Sequence, residues 1–293
     1  MMNCFDETRN AFRPGKPWRA KTGILLVLVL GVLFGACSDS EKVSGTSEEA
    51  EGIVAIAGKD VEGFVQKGPF VTGSSIVLKE TSATGNFRPT GREFFATTRS
   101  DKGDFKIDGI NLESQYVLLT ATGFYKRERT GESSPCQISL KALSDISNRD
   151  QINVNVLTHL EYDRTLQLVK KGKSFAEAKK RANQELMKAF HYDDLAGTSE
   201  NLDINNEGKA DKALKKISTF IDHILFGEEY GTVHWYSVNH VTYYTQYDEE
   251  PEKYCEEVQK YLDNFADILA GDDYKRFDSQ MLHDVLNGWF MEE

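Results

Sequence analysis

The chain has 293 residues, with 35 Lys and Arg against 46 Asp and Glu, for a formal net charge of -11. Hydrophobic residues at 40% and charged residues at 28% make an ordinary globular mixture, which excludes a disordered or collagen-like chain. The acidic balance argues against a nucleic-acid partner, because that footprint needs clustered Lys and Arg.

Residues 1–37 read as an export signal. Arg9, Arg13, Lys16, Arg19 and Lys21 form a basic opening, and an apolar run from Ile24 to Phe34 follows, broken only by Gly31. That run is shorter than the stretch of about 20 residues needed to span a bilayer, and it suits a signal peptide. Phe34-Gly35-Ala36-Cys37 resembles the lipobox of bacterial lipoproteins, with Phe34 where that family usually has Leu. The resemblance implies cleavage before Cys37, lipidation of its thiol and acylation of its new amine. It places the chain in the cell envelope as an outer-membrane lipoprotein, on the periplasmic or the surface face. More than one acyl chain is needed for a stable anchor. An uncleaved anchor helix is the competing reading.

Residues 38–60 read as a flexible acidic tether, rich in Ser, Gly, Glu and Ala, with Ile53 to Ile56 as its only apolar patch. Residues 61–156 read as strands. Ser75 to Lys79, Asp104 to Ile107, Gln115 to Tyr125, Gln137 to Leu140 and Ile152 to Val156 carry the β pattern, and several of them alternate cleanly. Gly-containing turns at Lys67-Gly68-Pro69, Thr84-Gly85, Lys102-Gly103 and Asp108-Gly109 separate them. Short strands at this spacing suggest a small antiparallel β-sandwich.

From residue 157 to 293 the period becomes helical. Thr158 with Glu161, and Ser174 with Glu177, read as capping boxes. Gly172 ends the first helix. The second aligns Ala178, Ala182, Leu186 and Phe190, and the third Leu214, Ile217, Ile221 and Ile224. The fourth starts at Pro251 and aligns Val258, Leu262, Phe265 and Leu269. A fifth aligns Leu282, Val285, Leu286 and Trp289. The expected fold is α+β: the sandwich followed by an α-helical bundle, after the signal and the tether.

Three pieces of the strand region resemble the transthyretin-like domains also called carboxypeptidase-regulatory-like. They are Val61 to Val65 with Gly73 to Leu78, the turn from Thr98 to Ile107, and the run from Gln115 to Tyr125. In that turn Gly103 supplies the bend and the Asp101 side chain can bond local backbone. The resemblance implies a supporting or binding module without catalysis. Val65 to Val71, and Asn153 to Tyr162, are also similar to surface lipoproteins of Gram-negative anaerobes that carry no assigned activity. A zinc carboxypeptidase needs His-x-x-Glu, and none of His159, His191, His223, His234, His240 and His283 has Glu at that spacing.

Of the four cysteines, Cys4 is lost with the signal and Cys37 is lipidated, leaving Cys136 and Cys255. In an oxidising compartment they can pair or stay as separate thiols, and spacing alone does not decide. Asp203 to Asp211 resembles the start of a calcium loop, with Asp203, Asn205, Glu207 and Asp211 at ligand positions and Gly208 at the turn. Leu214 stands where the bidentate carboxylate belongs, so a polar helix entry is the better reading. No cofactor or metal is implied. Tyr230, Trp235, Tyr236, Tyr243, Tyr244 and Tyr247 crowd one stretch, which could form a hairpin around Asn239. Such rings either fill core or, if exposed, bind sugars or a protein. The charge of the helical half reads first as a solvated surface, and the sharper reading is that the basic second helix (Lys171, Lys173, Lys179, Lys180, Arg181) docks on the acidic C-terminal region or faces lipid headgroups.

The expectation is a lipid-anchored envelope protein with a non-enzymatic binding or scaffolding role. Its partners would be the membrane through the lipid and, beyond that, a polysaccharide or another envelope protein. Two alternatives remain open: a carbohydrate-binding or adhesion protein using Tyr230–Tyr247, and an unrecognised hydrolase using carboxylates of the helical half.

Overall fold

The computed structural model divides the chain into two units, Met1–Ser44 and Gly45–Glu293. It describes residues 52–83, 87–193, 195, 197–226, 237–238, 241–242 and 251–271, all in the second unit. The export signal, the tether up to residue 51 and the expected fifth helix lie outside the described residues.

The second unit has mixed α+β content. Strands β1 (Ile56–Gln66), β4 (Asp104–Leu112) and β7 (Val154–Asn155) form a sheet in the order β4-β1-β7. Strands β2 (Ser75–Thr81), β3 (Pro89–Thr97), β5 (Tyr116–Gly123) and β6 (Ile138–Asp145) form a second, in the order β3-β2-β5-β6. All pairings are antiparallel except β1 with β7, which is parallel through Val65 opposite Val154. The expectation of a wholly antiparallel arrangement therefore fails at β7. That strand is only two residues long, because Asn155 already caps the next helix. β1 also opens earlier than expected, inside the stretch read as tether, with Ile56 buried opposite Leu112. Pro89–Thr97 was not foreseen as a strand. Its pattern is exposed at alternate positions and only half-buried between, which leaves a weak apolar period.

Among the described residues four helices follow: α1 (Val156–Lys170), α2 (Phe175–Ala189), α3 (Lys209–Phe226) and α4 (Pro251–Ala270), with a 3-10 turn at Ser199–Asn201 before α3. The capping box of α1 lies three residues earlier than Thr158 and Glu161 suggested. Asn155 accepts from the Thr158 amide at 3.0 Å, and the Thr158 hydroxyl accepts from the Asn155 amide at 2.9 Å. Glu161 is instead drawn into the interior by a lysine of α2. The second box, Ser174 with Glu177, is present as expected.

One apolar core runs through sheets and helices. Val61, Phe105, Ile76, Leu119 and Leu140 from the strands join Leu157, Leu160, Leu214, Ile217, Val258 and Leu262 from the helices. A smaller cluster sits on the other face of the second sheet, where Tyr116 and Leu143 are covered by Phe87 and Phe175, with Leu118, Tyr162 and Leu166 at its margin. Phe87, Tyr116 and Phe175 meet at centroid distances of 4.9–5.0 Å. The two faces of that sheet are thus used differently, one packed on the main core, with Phe94 and Ala96 of β3 at its margin, and one covered at one end.

Candidate functional site

Cys136 and Cys255 are joined by a disulfide, with Cα atoms 5.2 Å apart across a sequence separation of 119. It ties the chain just before β6 to α4. Close by, Gln259 of α4 accepts from the Ser139 amide at 2.7 Å and donates to the Ser139 carbonyl at 3.3 Å. A side-chain amide thereby takes the place of a neighbouring strand and closes the β6 edge of the sheet, which would otherwise offer unpaired backbone groups.

Buried ionic networks fasten the helices, and two of them centre on Lys67 and Lys179. In the first, Lys67 in the turn after β1 donates to Glu128 at 3.2 Å and to Asp222 of α3 at 3.4 Å. Asp222 also accepts from Tyr125 Oη and Arg127 Nε, both at 3.0 Å, and Ser218 of α3 donates to Glu128. Lys67 stands 5.0 Å from the centroid of the Tyr125 ring. Burial opposes ionisation of Asp222, but Lys67 and Arg127 outweigh it and hold the carboxyl below its usual range. Burial and the Asp222 charge push the Tyr125 phenol well up, so it acts as a donor.

In the second network, Lys179 of α2 donates to Glu161 of α1 at 2.5 Å and to Glu200 of the 3-10 turn at 2.8 Å. Ser199 donates to Glu161 at 2.8 Å, and Asn183 to Ser199 at 2.9 Å. Burial raises the Glu161 pKa, and the neighbouring Glu200 charge adds to this against the pull of Lys179. Lys179 is therefore the part of the basic cluster that docks on carboxylates, while Arg181 pairs with Glu185 on its own helix at 2.8 Å. A third contact lies between α1 and α4, where the buried His159 brings Nε2 to 3.3 Å from Asp263. Neither ring nitrogen completes an aligned hydrogen bond.

The loop that resembled a calcium site is internally consumed. Asp203 accepts from Gln66 Nε2 at 2.6 Å and from the Asn205 amide at 2.8 Å, Asp211 accepts from the Asp203 amide at 2.8 Å, and Glu207 pairs with Lys212 at 2.9 Å. Among the described residues no group of three or more His, Cys, Asp or Glu is arranged to hold a metal ion. Asp101 does not bond its own turn as expected: it accepts from the Thr72 amide and hydroxyl at 2.9 and 2.7 Å, tying two loops together.

Cys37, Tyr230, Trp235, Tyr236, Tyr243, Tyr244 and Tyr247 lie outside the described residues. Between those aromatic residues the structure describes two short strands, β8 (Ser237–Val238) and β9 (Val241–Thr242). They pair antiparallel on either side of Asn239-His240, where the hairpin was expected.

The uncovered end of the four-stranded sheet was not anticipated from the sequence. Register sets Thr97, Ser75, Thr122 and Ser139 in one row across β3, β2, β5 and β6, and Phe95, Val77, Thr120 and Lys141 in the next. Phe95 is 70% exposed, and Phe124, one alternation beyond Thr122, is 37% exposed. With Ile53 and Val54 they are the large apolar side chains most open to water among the described residues. Along β3 the exposed Phe95 alternates with the half-buried Phe94 and Ala96, and strand pairing sets which side faces the core.

No family model, no curated protein and no solved structure matches this chain. The fold and the sites above define an α+β protein whose buried charges join its helices to one another and to the turns beside its strands.

Proposed function

We propose that the protein is a lipid-anchored component of a bacterial cell envelope with a non-enzymatic binding or scaffolding role. In this reading Cys37 carries the lipid and the residues after it hold the folded unit off the membrane. The two sheets are a transthyretin-like β-sandwich, and the helices are a bundle docked on it.

The observation that carries the reading is the use made of the charged side chains. Lys67, Arg127 and Asp222 are buried in pairs that join the turns beside the strands to α3, and Lys179 pairs with the buried Glu161 and Glu200 to join α2, α1 and the 3-10 turn. A catalytic cleft would turn such groups toward a substrate. Here they stiffen a support. The Cys136–Cys255 bridge supports an oxidising address, since disulfides persist outside the reducing cytoplasm.

The test is metabolic labelling with palmitate in a bacterial host that processes lipoproteins. The full chain should take up label and partition with membranes, and Cys37→Ser should lose both. A wild type that takes up no lipid, beside a Cys37→Ser variant that stays membrane-bound, would remove the anchor from the reading.

A further inference from the structure

The two ends of α4 are held in different ways. Among the described residues its first fully buried apolar side chain is Val258, and Leu262, Ala266 and Leu269 continue that stripe into the main core. At the far end the Ala270 carbonyl accepts from Arg164 Nη1 at 3.0 Å. Ahead of Val258 the helix is tied down by the Cys136–Cys255 bridge. One turn after Cys255, Gln259 bonds both backbone groups of Ser139 and donates to Asp263 at 3.2 Å. The bridge therefore stands next to the side chain that closes the β6 edge.

The two sulfurs are not equally placed. Cys136 is 1% exposed, and its segment is fixed: Ser134 donates from its hydroxyl to the Cys136 carbonyl and from its amide to the Tyr125 carbonyl, both at 2.7 Å. Cys255 is half-buried at the margin of the core. A thiolate arriving from water reaches the Cys255 sulfur, and Cys136 is the sulfur displaced. A bridge shielded at both sulfurs resists reduction until the fold opens. This one is shielded at Cys136 alone.

We propose that the Cys136–Cys255 bridge is a redox latch on the β6 edge, opened by a dithiol reductant that enters at Cys255. The first sulfur of the dithiol bonds the Cys255 sulfur as the bond to Cys136 breaks, and its second sulfur then displaces Cys255. Two electrons and two protons pass to the bridge, leaving two thiols on this chain and one disulfide on the reductant. The freed start of α4 swings out about Val258, and Gln259 leaves Ser139. Both sheets stay intact, because their pairings and the core stripe of α4 do not pass through the bridge. What opens is the backbone of β6 at Ser139, a strand edge able to take up a further strand. The device is independent of the lipid anchor.

The experiment is hydrogen exchange of the detergent-solubilised full chain, oxidised and after dithiothreitol, with alkylation mapped at Cys136 and Cys255. Reduction should speed exchange about tenfold or more at residues 136–141 and 251–260, and leave β2 and α2 unchanged. Reoxidation should restore protection. In the oxidised chain Gln259→Ala should speed exchange at residues 138–141 with neither cysteine alkylated. Cys136→Ser with Cys255→Ser should exchange like the reduced chain, with or without dithiothreitol. Four results overturn the proposal: cysteines alkylated only as every segment loses protection together, cysteines alkylated with β6 and α4 unchanged, protection lost equally in β2 and α2, or a Gln259→Ala chain that exchanges like the wild type. None of these touches palmitate uptake at Cys37, so failure of the latch and failure of the anchor reading are told apart.

Discussion

Asp222 and Glu161 are both buried carboxylates beside a lysine, yet they differ in kind. Asp222 receives Lys67, Arg127 and the Tyr125 hydroxyl, and its pKa is held below 3.8, the ordinary aspartate value. Its contribution to stability is complete above that value and is lost as pH falls through the lower folded one. Asp222→Asn should cost about 3–5 kcal/mol, because the buried carboxylate that Arg127 and Lys67 share is lost, leaving Lys67 with Glu128 alone of its two carboxylates. Glu161 shares Lys179 with Glu200, and its pKa is raised above 4.5, the ordinary glutamate value. The sign reverses: ionising Glu161 in the folded state costs stability as pH rises through that range. Glu161→Gln should therefore cost clearly less than Asp222→Asn at neutral pH. It should also gain on the wild type as pH is raised from about 4.5. Urea unfolding of the three proteins at pH 5 and pH 8 checks both statements. An equal cost for the two substitutions would show that the lysine pairs are equivalent after all.

At the scale of elements, the turn into β4 is tightly constrained. Gly103 has φ +79, its carbonyl accepts from the Val65 amide at 2.9 Å, and a Cβ there would lie 2.3 Å from the Val65 carbonyl oxygen. Gly103→Ala therefore combines a left-handed backbone with a clash against backbone that has no freedom to yield. A loss of about 1–3 kcal/mol is expected, read as a lowered thermal midpoint. The dipeptide Lys102-Gly103 announced a turn, but nothing in it announced Val65 as its neighbour. Asp101 makes the same point: its short polar side chain suited the local turn, and it went to Thr72 instead. The helices were legible for a different reason. Their apolar stripes and the Ser174–Glu177 box are complete within one segment, so no distant residue is needed to recognise them.

The whole molecule is closed by contacts between distant stretches of chain. The Cys136–Cys255 bridge spans a separation of 119 and holds α4 against the β6 edge that Gln259 caps. Replacing both cysteines with serine should cost about 2–5 kcal/mol, since the open chain regains the entropy that a long closed loop had removed. Chemical unfolding with and without reductant measures it: reductant should lower the stability of the wild type and leave the double-serine variant unchanged. Composition, the order of strands before helices and the positions of most elements were determined by the sequence itself. Periodicity, caps and glycine turns act over a few residues and need only the local backbone to be expressed. What the tertiary structure alone decided was partnership. Lys67 meets Asp222 across 155 residues, two thiols find each other, and Phe95 is left facing water on a hydroxylated sheet. Each depends on which strand pairs with which and in what register, and a difference of one position would turn every side chain of a strand to the opposite face.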